Sequence, residues 1–312
     1  QYDIIAISGA NEPVFNDEFT IASVPTTTTF TFPLVTGIAS ATGTITCKIA
    51  PLGWTREFTE TNKSVYRSSD VTSTRLYLRV DDSDMLTAQV NTYETMSSVD
   101  AGTGKSTTDL WWYKSNSDSS ETRHWYLIGD SKRFYLLPAH NSVFPTTLAM
   151  YAFGDIASIR TVDPWGCMLA GCDVGTYYSY PPDFRCGFQT TNGTTTGNLL
   201  VRGYSGIGGS VPFCLFSTIG WTTIGSGSST NPFPGPADNA IHLSKISLFD
   251  YGFSTYVFRG FVPGIMSPME AANGAYSNKD RSFVYEGRTY MAFRCGGYST
   301  GNFWVDITGP WD

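Results

Sequence analysis

Ala101-Gly102-Thr103-Gly104-Lys105-Ser106-Thr107 ends as a phosphate-binding loop ends. That pattern also needs a glycine five residues before Gly104, where Val99 stands, and a strand before and a helix after, where polar residues stand. The segment reads as a loop carrying one lysine. Gly297-Tyr298-Ser299-Thr300-Gly301 matches the turn that presents a nucleophilic serine in hydrolases, but that chemistry needs a later histidine, and the last of three is His242. A β-turn with two glycines explains it. Asp81, Asp82 and Asp84 sit close enough to share a hard cation, yet lack the calcium-loop spacing, so an exposed turn is expected and a surface cation site is the minor reading.

His124, His140 and His242 stand apart from one another and from cysteine at ligand spacing, so no metal site is expected. Asp130, Asp155, Asp163 and Asp183 are the acids available for glycoside cleavage, which spacing alone neither supports nor removes. Trp111, Trp112, Tyr113 and Trp125 lie among Ser, Asn and Asp. Trp111 and Trp112 are therefore candidates for stacking on sugar rings, against the reading that at least two of these four aromatics belong to the core. Tyr177, Tyr178 and Tyr180 with Pro181 and Pro182 make a stiff amphipathic loop suited to a subunit contact. Phe233, in the Gly/Ser-rich stretch 225–236, joins them as an interface candidate in a loop able to reach a neighbouring subunit. No catalytic residue and no cofactor are expected.

The elements that must hold these residues are strands. Of 312 residues only 15% are charged, against roughly a quarter in an average soluble domain, and 18 Tyr, 20 Phe and 8 Trp favour strands and interfaces. The net charge of −7, without clustered Lys or Arg, argues against nucleic acid as a partner. No run approaches the ~20 apolar residues of a membrane helix, so a soluble chain without membrane contact is expected. Gln1 in place of Met suggests processing or an upstream segment. Six cysteines are too few for a disulfide scaffold; free buried thiols are the preferred reading, while a Cys167–Cys172 pair stays open.

Residues 1–50 read as a small β module: DIIAI, EFTIASV with Phe19 and Ile21 on one face, TFTFPL with Phe30, Phe32 and Leu34 on one face, and TGTITCKIA. Pro51-Leu52-Gly53-Trp54 marks the boundary, and 51–312 reads as a larger antiparallel β-sandwich or barrel-like domain with long loops. In RLYLRV, 75–80, alternation turns Leu76, Leu78 and Val80 inward and Arg79 outward. HWYLIGD and RFYLLPA form one hairpin about Gly129–Lys132, and SFVYEGRTYMAF another about Glu286-Gly287. Ser267-Pro268 would start one short helix over 267–276, and the stretches 190–198 and 225–236 read as exposed loops. The fold class is all-β.

The segment FNDEFTIASVPTTTTFTF, 15–32, resembles a small module of virion structural proteins of tailed bacteriophages. APLGWTREFTETNKSVYRS at 50–68, RLYLRVDD at 75–82, YETM at 93–96, YAFGDI from 151 and DPWGCMLAG at 163–171 resemble blocks of the same group. This resemblance covers scattered patches of the first half and carries no catalytic residues. It implies a non-enzymatic tail or baseplate subunit, assembled in the host cytoplasm into the virion as a homo-oligomer with other virion proteins as partners. A capsid decoration or head-fibre protein, or a β domain that binds a host surface glycan, are the alternatives.

Overall fold

In the computed structural model, residues 3–34, 37, 40–118, 122–139, 148–172, 198–216, 243–252, 255–268, 282–295, 301–309 and 311 are described. The chain divides into two compact units, residues 1–52 and 53–312, and among the described residues all the regular structure except one 3₁₀ turn is β.

The first unit contains β1 (Ile4–Ala10), β2 (Glu18–Thr20), β3 (Ser23–Thr26), β4 (Thr29–Thr31) and β5 (Gly43–Ile49), with a 3₁₀ turn over Pro13–Phe15. The run EFTIASV, expected as one strand, divides into β2 and β3. Strands β2, β1 and β5 form an antiparallel sheet in that order, and β3–β4 is a separate hairpin. Phe19 and Ile49 flank Ile5 across the sheet, and Phe32 packs on Phe19 with ring centroids 4.4 Å apart. Ile5 and Ile21 are buried, whereas every residue of β5 is exposed.

The second unit begins with a five-stranded antiparallel sheet, ordered β12-β9-β8-β7-β6. Its strands are β6 (Trp54–Glu60), β7 (Lys63–Ser68), β8 (Tyr77–Asp81), β9 (Thr87–Tyr93) and, after the two-stranded ribbon β10 (Thr95–Met96) and β11 (Gly102–Thr103), β12 (Leu110–Tyr113). A longer sheet follows: β13 (Trp125–Gly129), β14 (Arg133–Pro138), β15 (Tyr151–Asp155), β16 (Ala157–Ser158), β17 (Cys167–Ala170), β18 (Asn198–Leu200), β19 (Val211–Phe216), β20 (Leu243–Gly252), β21 (Thr255–Pro268), β22 (Ser282–Tyr285), β23 (Arg288–Cys295) and β24 (Gly301–Asp306). Its order is β13-β14-β15-β17-β18-β19-β20-β21-β24-β23-β22, with β16 on β21.

Side-chain alternation shows how these sheets stack. From β14, β15 and β17, the residues Phe134, Leu136, Tyr151, Phe153, Cys167 and Leu169 join Leu78, Val90, Leu110 and Trp112 of the five-stranded sheet in one core. Their neighbours Tyr135, Leu137, Ala152, Met168 and Ala170 join Ile246, Leu248, Val262, Phe293, Phe303 and Val305 from the far half of the long sheet in a second core. The strands β14, β15 and β17 are thus covered on both faces, and the unit is a sandwich of three sheet layers. Burial on both sides explains why Tyr151–Asp155 is buried throughout and its sequence does not alternate with polar residues.

Both expected hairpins form, β13–β14 and β22–β23. Glu286 and Gly287 take positive φ of 50° and 76°, the backbone that a two-residue hairpin turn matched to strand twist requires. Two expectations need correction. Arg79 does not point to solvent but is only 7% exposed, because the excursion through Val99, Asp100 and Asp109 folds over its face of the sheet. Ser267 and Pro268 end β21 instead of starting a helix, held by pairing to Ser244 and Leu243, while the rest of that expected helix lies outside the described residues.

Candidate functional site

On the outer face of the five-stranded sheet the register sets Lys63, Asp81, Gln89 and Trp111 in one row across β7, β8, β9 and β12, with Val65, Arg79 and Asn91 in the next. The row resembles a binding surface in composition, but its polar atoms are committed to one another. Arg79 donates from Nη2 to Asp81 at 3.0 Å and Asp100 at 2.6 Å, and from Nε to the Val99 carbonyl at 2.7 Å. Lys63 Nζ reaches Asp100 at 2.8 Å. Asp109 accepts from Gln89, Asn91 and Lys105.

Burial alone would raise the Asp81 carboxyl; hydrogen bonds from Ser83 and Arg79 outweigh it and hold it below the usual carboxylate value. Asp109 is held down in the same way by Lys105 and Asn91 against its own burial. These acids are ionised and saturated with donors, which suits a rigid face and not proton transfer near neutral pH. Asp82 pairs with Lys114 at 2.6 Å and Asp84 accepts the Leu86 and Thr87 amides, so the three acids expected at a turn serve separate structural contacts.

The tryptophan candidates separate. Trp112 is 6% exposed, stacked on Tyr151 at 5.8 Å with its indole N–H donated to the Ala170 carbonyl at 2.9 Å, so it belongs to the core and offers no face to a sugar. Tyr113 is buried with it. Trp111, one residue away, is half-buried on the outer face, and its backbone N–H and C=O both bond to Cys172 at 2.8 Å. Trp125 is 62% exposed. Tyr177, Tyr178, Tyr180, Pro181, Pro182 and Phe233 lie outside the described residues, as do Asp183, His140, His242 and the core of the Gly297–Gly301 motif.

The remaining acids are structural. Asp130 accepts the amides of Lys132 and Arg133 in the β13–β14 turn. Asp155 is buried against Thr74, and Asp163 is ion-paired to Arg259. Lys105 pairs with Asp109 within its own loop. Among the described residues no group of three or more His, Cys, Asp or Glu is placed to hold a metal ion. Cys167 and Cys172 are free thiols, as are Cys47 and Cys295.

The sequence did not single out the strand edges. Among the described residues β5 ends the sheet of the first unit, and β13 and β22 end the long sheet of the second. Each edge carries large exposed apolar side chains: Ile45 and Ile49 on β5, Trp125 and Leu127 on β13, Val284 and Tyr285 on β22. On β13 the intervening Tyr126 and Ile128 pack against the core, so alternation leaves Trp125 and Leu127 on the outer face. Unpaired edges with apolar side chains invite pairing with another chain, and a monomeric protein ordinarily blunts them with charge or proline. Neither the family models nor the curated proteins compared with this chain match it.

Proposed function

We propose that this chain is a non-enzymatic structural subunit of a tailed-phage virion, at the tail or baseplate, which assembles with copies of itself and with other virion proteins. The observation that supports assembly is that β5, β13 and β22, each at the end of its sheet among the described residues, bear exposed large apolar residues: Ile49 at 71%, Trp125 at 62% and Val284 at 70%. Edge-to-edge addition supplies main-chain hydrogen bonds, and alternate side chains supply specificity. The ion-paired outer face of the five-stranded sheet fits the same role, since its carboxylates are engaged in holding Arg79 and Lys63 and not poised for proton transfer. The word phage rests on the resemblance of residues 15–32 and 50–68.

The test is immunogold labelling of particles produced from the genome that encodes the chain, with antibody raised against the purified protein. Label at the tail tip or baseplate is expected. Label on the head would move the subunit to capsid decoration, and unlabelled particles would remove the virion reading.

A further inference from the structure

Along β5 the backbone polar groups point alternately to the two sides of the strand. Asn11 donates to the Thr42 carbonyl at 2.8 Å and Ala50 to the Ile4 carbonyl at 2.9 Å, and between these ends Thr46 pairs with Ser8 and Lys48 with Ala6. The even-numbered residues thus turn their N–H and C=O groups to β1. Ile45, Cys47 and Ile49 turn theirs the other way, to the side on which β5 ends its sheet among the described residues.

The same three residues carry apolar side chains on one face. Phe19, Ile5 and Ile49 form a row across β2, β1 and β5, and Ile7 and Cys47 share the face two residues on. Exposure rises along that row from 3% at Ile5 to 71% at Ile49, while Ile45 is 45% exposed and Cys47 is exposed. The apolar face therefore runs to the strand edge and stops there with its last residues in water.

We propose that β5 of a second copy of this chain pairs antiparallel with this edge, about a two-fold axis through Cys47. The inference rests on the assembly reading and names one of its contacts. Cys47 stands opposite Cys47 of the second copy and Ile45 opposite its Ile49, so each outward N–H and C=O of the three residues gains a partner and each apolar side chain meets another. The outward run is apolar in both directions from Cys47, as a two-fold contact requires of the one surface that both copies supply. Lys48 faces Thr46 in this register. A slide of two residues, the smallest that keeps the outward groups paired, sets Lys48 against Lys48 at about 4.5 Å between Cα atoms and brings Pro51, without an N–H, opposite Ile45. The opposite slide leaves Ile49 facing Gly43, which has no side chain to meet it. Seven residues at one edge fall short of the roughly 800 Å² per partner that a stable pair of chains buries, so this contact acts beside others in an assembly.

Oxidative trapping on the full chain at high protein concentration tests the register. Opposite residues of a bonded pair lie about 5.5 Å apart between Cα atoms, inside the range a disulfide spans. The native chain should form a Cys47–Cys47 link, located by peptide mass spectrometry, at least ~10-fold faster than Thr46→Cys links to itself in a Cys47→Ser background. Thr46→Cys mixed with Lys48→Cys, both in that background and both at exposed positions, should cross-link at least ~10-fold faster than either alone. Ile45→Lys, an exposed edge position, should slow Cys47 linking to the collision rate with Tm unchanged. Equal rates at the three cysteine positions, as when another protein or nothing fills this edge, would overturn the proposal. So would faster self-linking of Thr46→Cys, which marks a different register, or a Cys47 link that Ile45→Lys does not slow. Particle labelling is read independently of these rates, so failure of the β5 pair and failure of the virion reading are distinguishable.

Discussion

Arg259 grips Asp163 through two hydrogen bonds, Nε to Oδ2 at 2.7 Å and Nη2 to Oδ1 at 3.0 Å, with the guanidinium wholly screened from water. Its remaining nitrogen donates to the Arg202 carbonyl at 3.0 Å and lies 3.6 Å from Asp250. A charge this deep is tolerable only while every partner is present.

Asp163→Asn should therefore cost about 3–5 kcal/mol, since it takes the bidentate carboxylate from a buried cation and leaves it the more distant Asp250 at 3.6 Å. In a unit of this size that lowers Tm on the order of 10 °C, measurable by differential scanning calorimetry. Burial pushes the Asp163 carboxyl up, but hydrogen bonds from Arg259 and Ser158 outweigh it and leave it below the ordinary value. Its contribution is then complete above the unfolded aspartate pKa of about 3.9 and is lost as pH falls through the depressed folded value. A variant whose Tm matches the native protein's at neutral pH would refute the account.

Asp155 shows the opposite sign. It is 8% exposed, accepts the Thr74 amide at 3.0 Å and the Thr74 hydroxyl, and burial outweighs these bonds to push its carboxyl up. As pH rises past the unfolded value, the unfolded chain releases this proton before the folded one does, so stability falls across the interval up to the raised folded value. Asp155→Asn keeps the acceptor and loses the titration. The Tm difference between variant and native protein should shift in the variant's favour as pH rises above the unfolded aspartate value of about 3.9. A pH-independent difference would show that desolvation of this carboxylate is not what sets its proton affinity.

Strands whose two faces meet different surroundings were legible from residue order: β8 with Leu78 inward, and β22–β23 with Glu286-Gly287 at the turn. What order does not carry is the identity of the covering layer. Trp111 and Trp112 lie on opposite faces by parity alone, but only the sheet packed against one of them makes Trp112 core. Arg79 followed the alternation and was buried by a loop 20 residues away. Arg259 sits in YVFRGFV without a local signal, because its partners are 96 and 57 residues distant. The edge residues were readable as strand and not as edge, since strand order is a long-range property.

The free thiols should differ sharply in reactivity. Cys47 is exposed on β5, while Cys167, Cys172 and Cys295 are buried. Burial, with the Asp155 charge adding to it, pushes the Cys167 thiol well up, so little nucleophilic thiolate forms there. Under native conditions a maleimide should label Cys47 within minutes and leave Cys167, Cys172 and Cys295 unmodified until denaturant is added, as read by peptide mass spectrometry. Native labelling of Cys167 at the Cys47 rate would contradict the two-sided burial of β17.

If the strand edges are the contacts of assembly, charge placed on one should abolish association without unfolding the chain. Trp125 and Leu127 lie on the outer face of β13, and a lysine there is the device by which edge strands ordinarily avoid pairing. Trp125→Lys should reduce the mass measured by light scattering towards that of one chain, with Tm unchanged to within about 1 °C because no core contact is lost. Trp112→Ala provides the contrast: it removes a buried indole stacked on Tyr151, and should cost about 3–5 kcal/mol and lower Tm whatever the state of assembly. Val284→Lys on β22 tests the opposite end of the same sheet. Loss of association in one edge variant alone would assign the contact to that edge; unchanged mass in both would move assembly away from the long sheet and leave β5, with Ile45 and Ile49 exposed, as the edge to charge next.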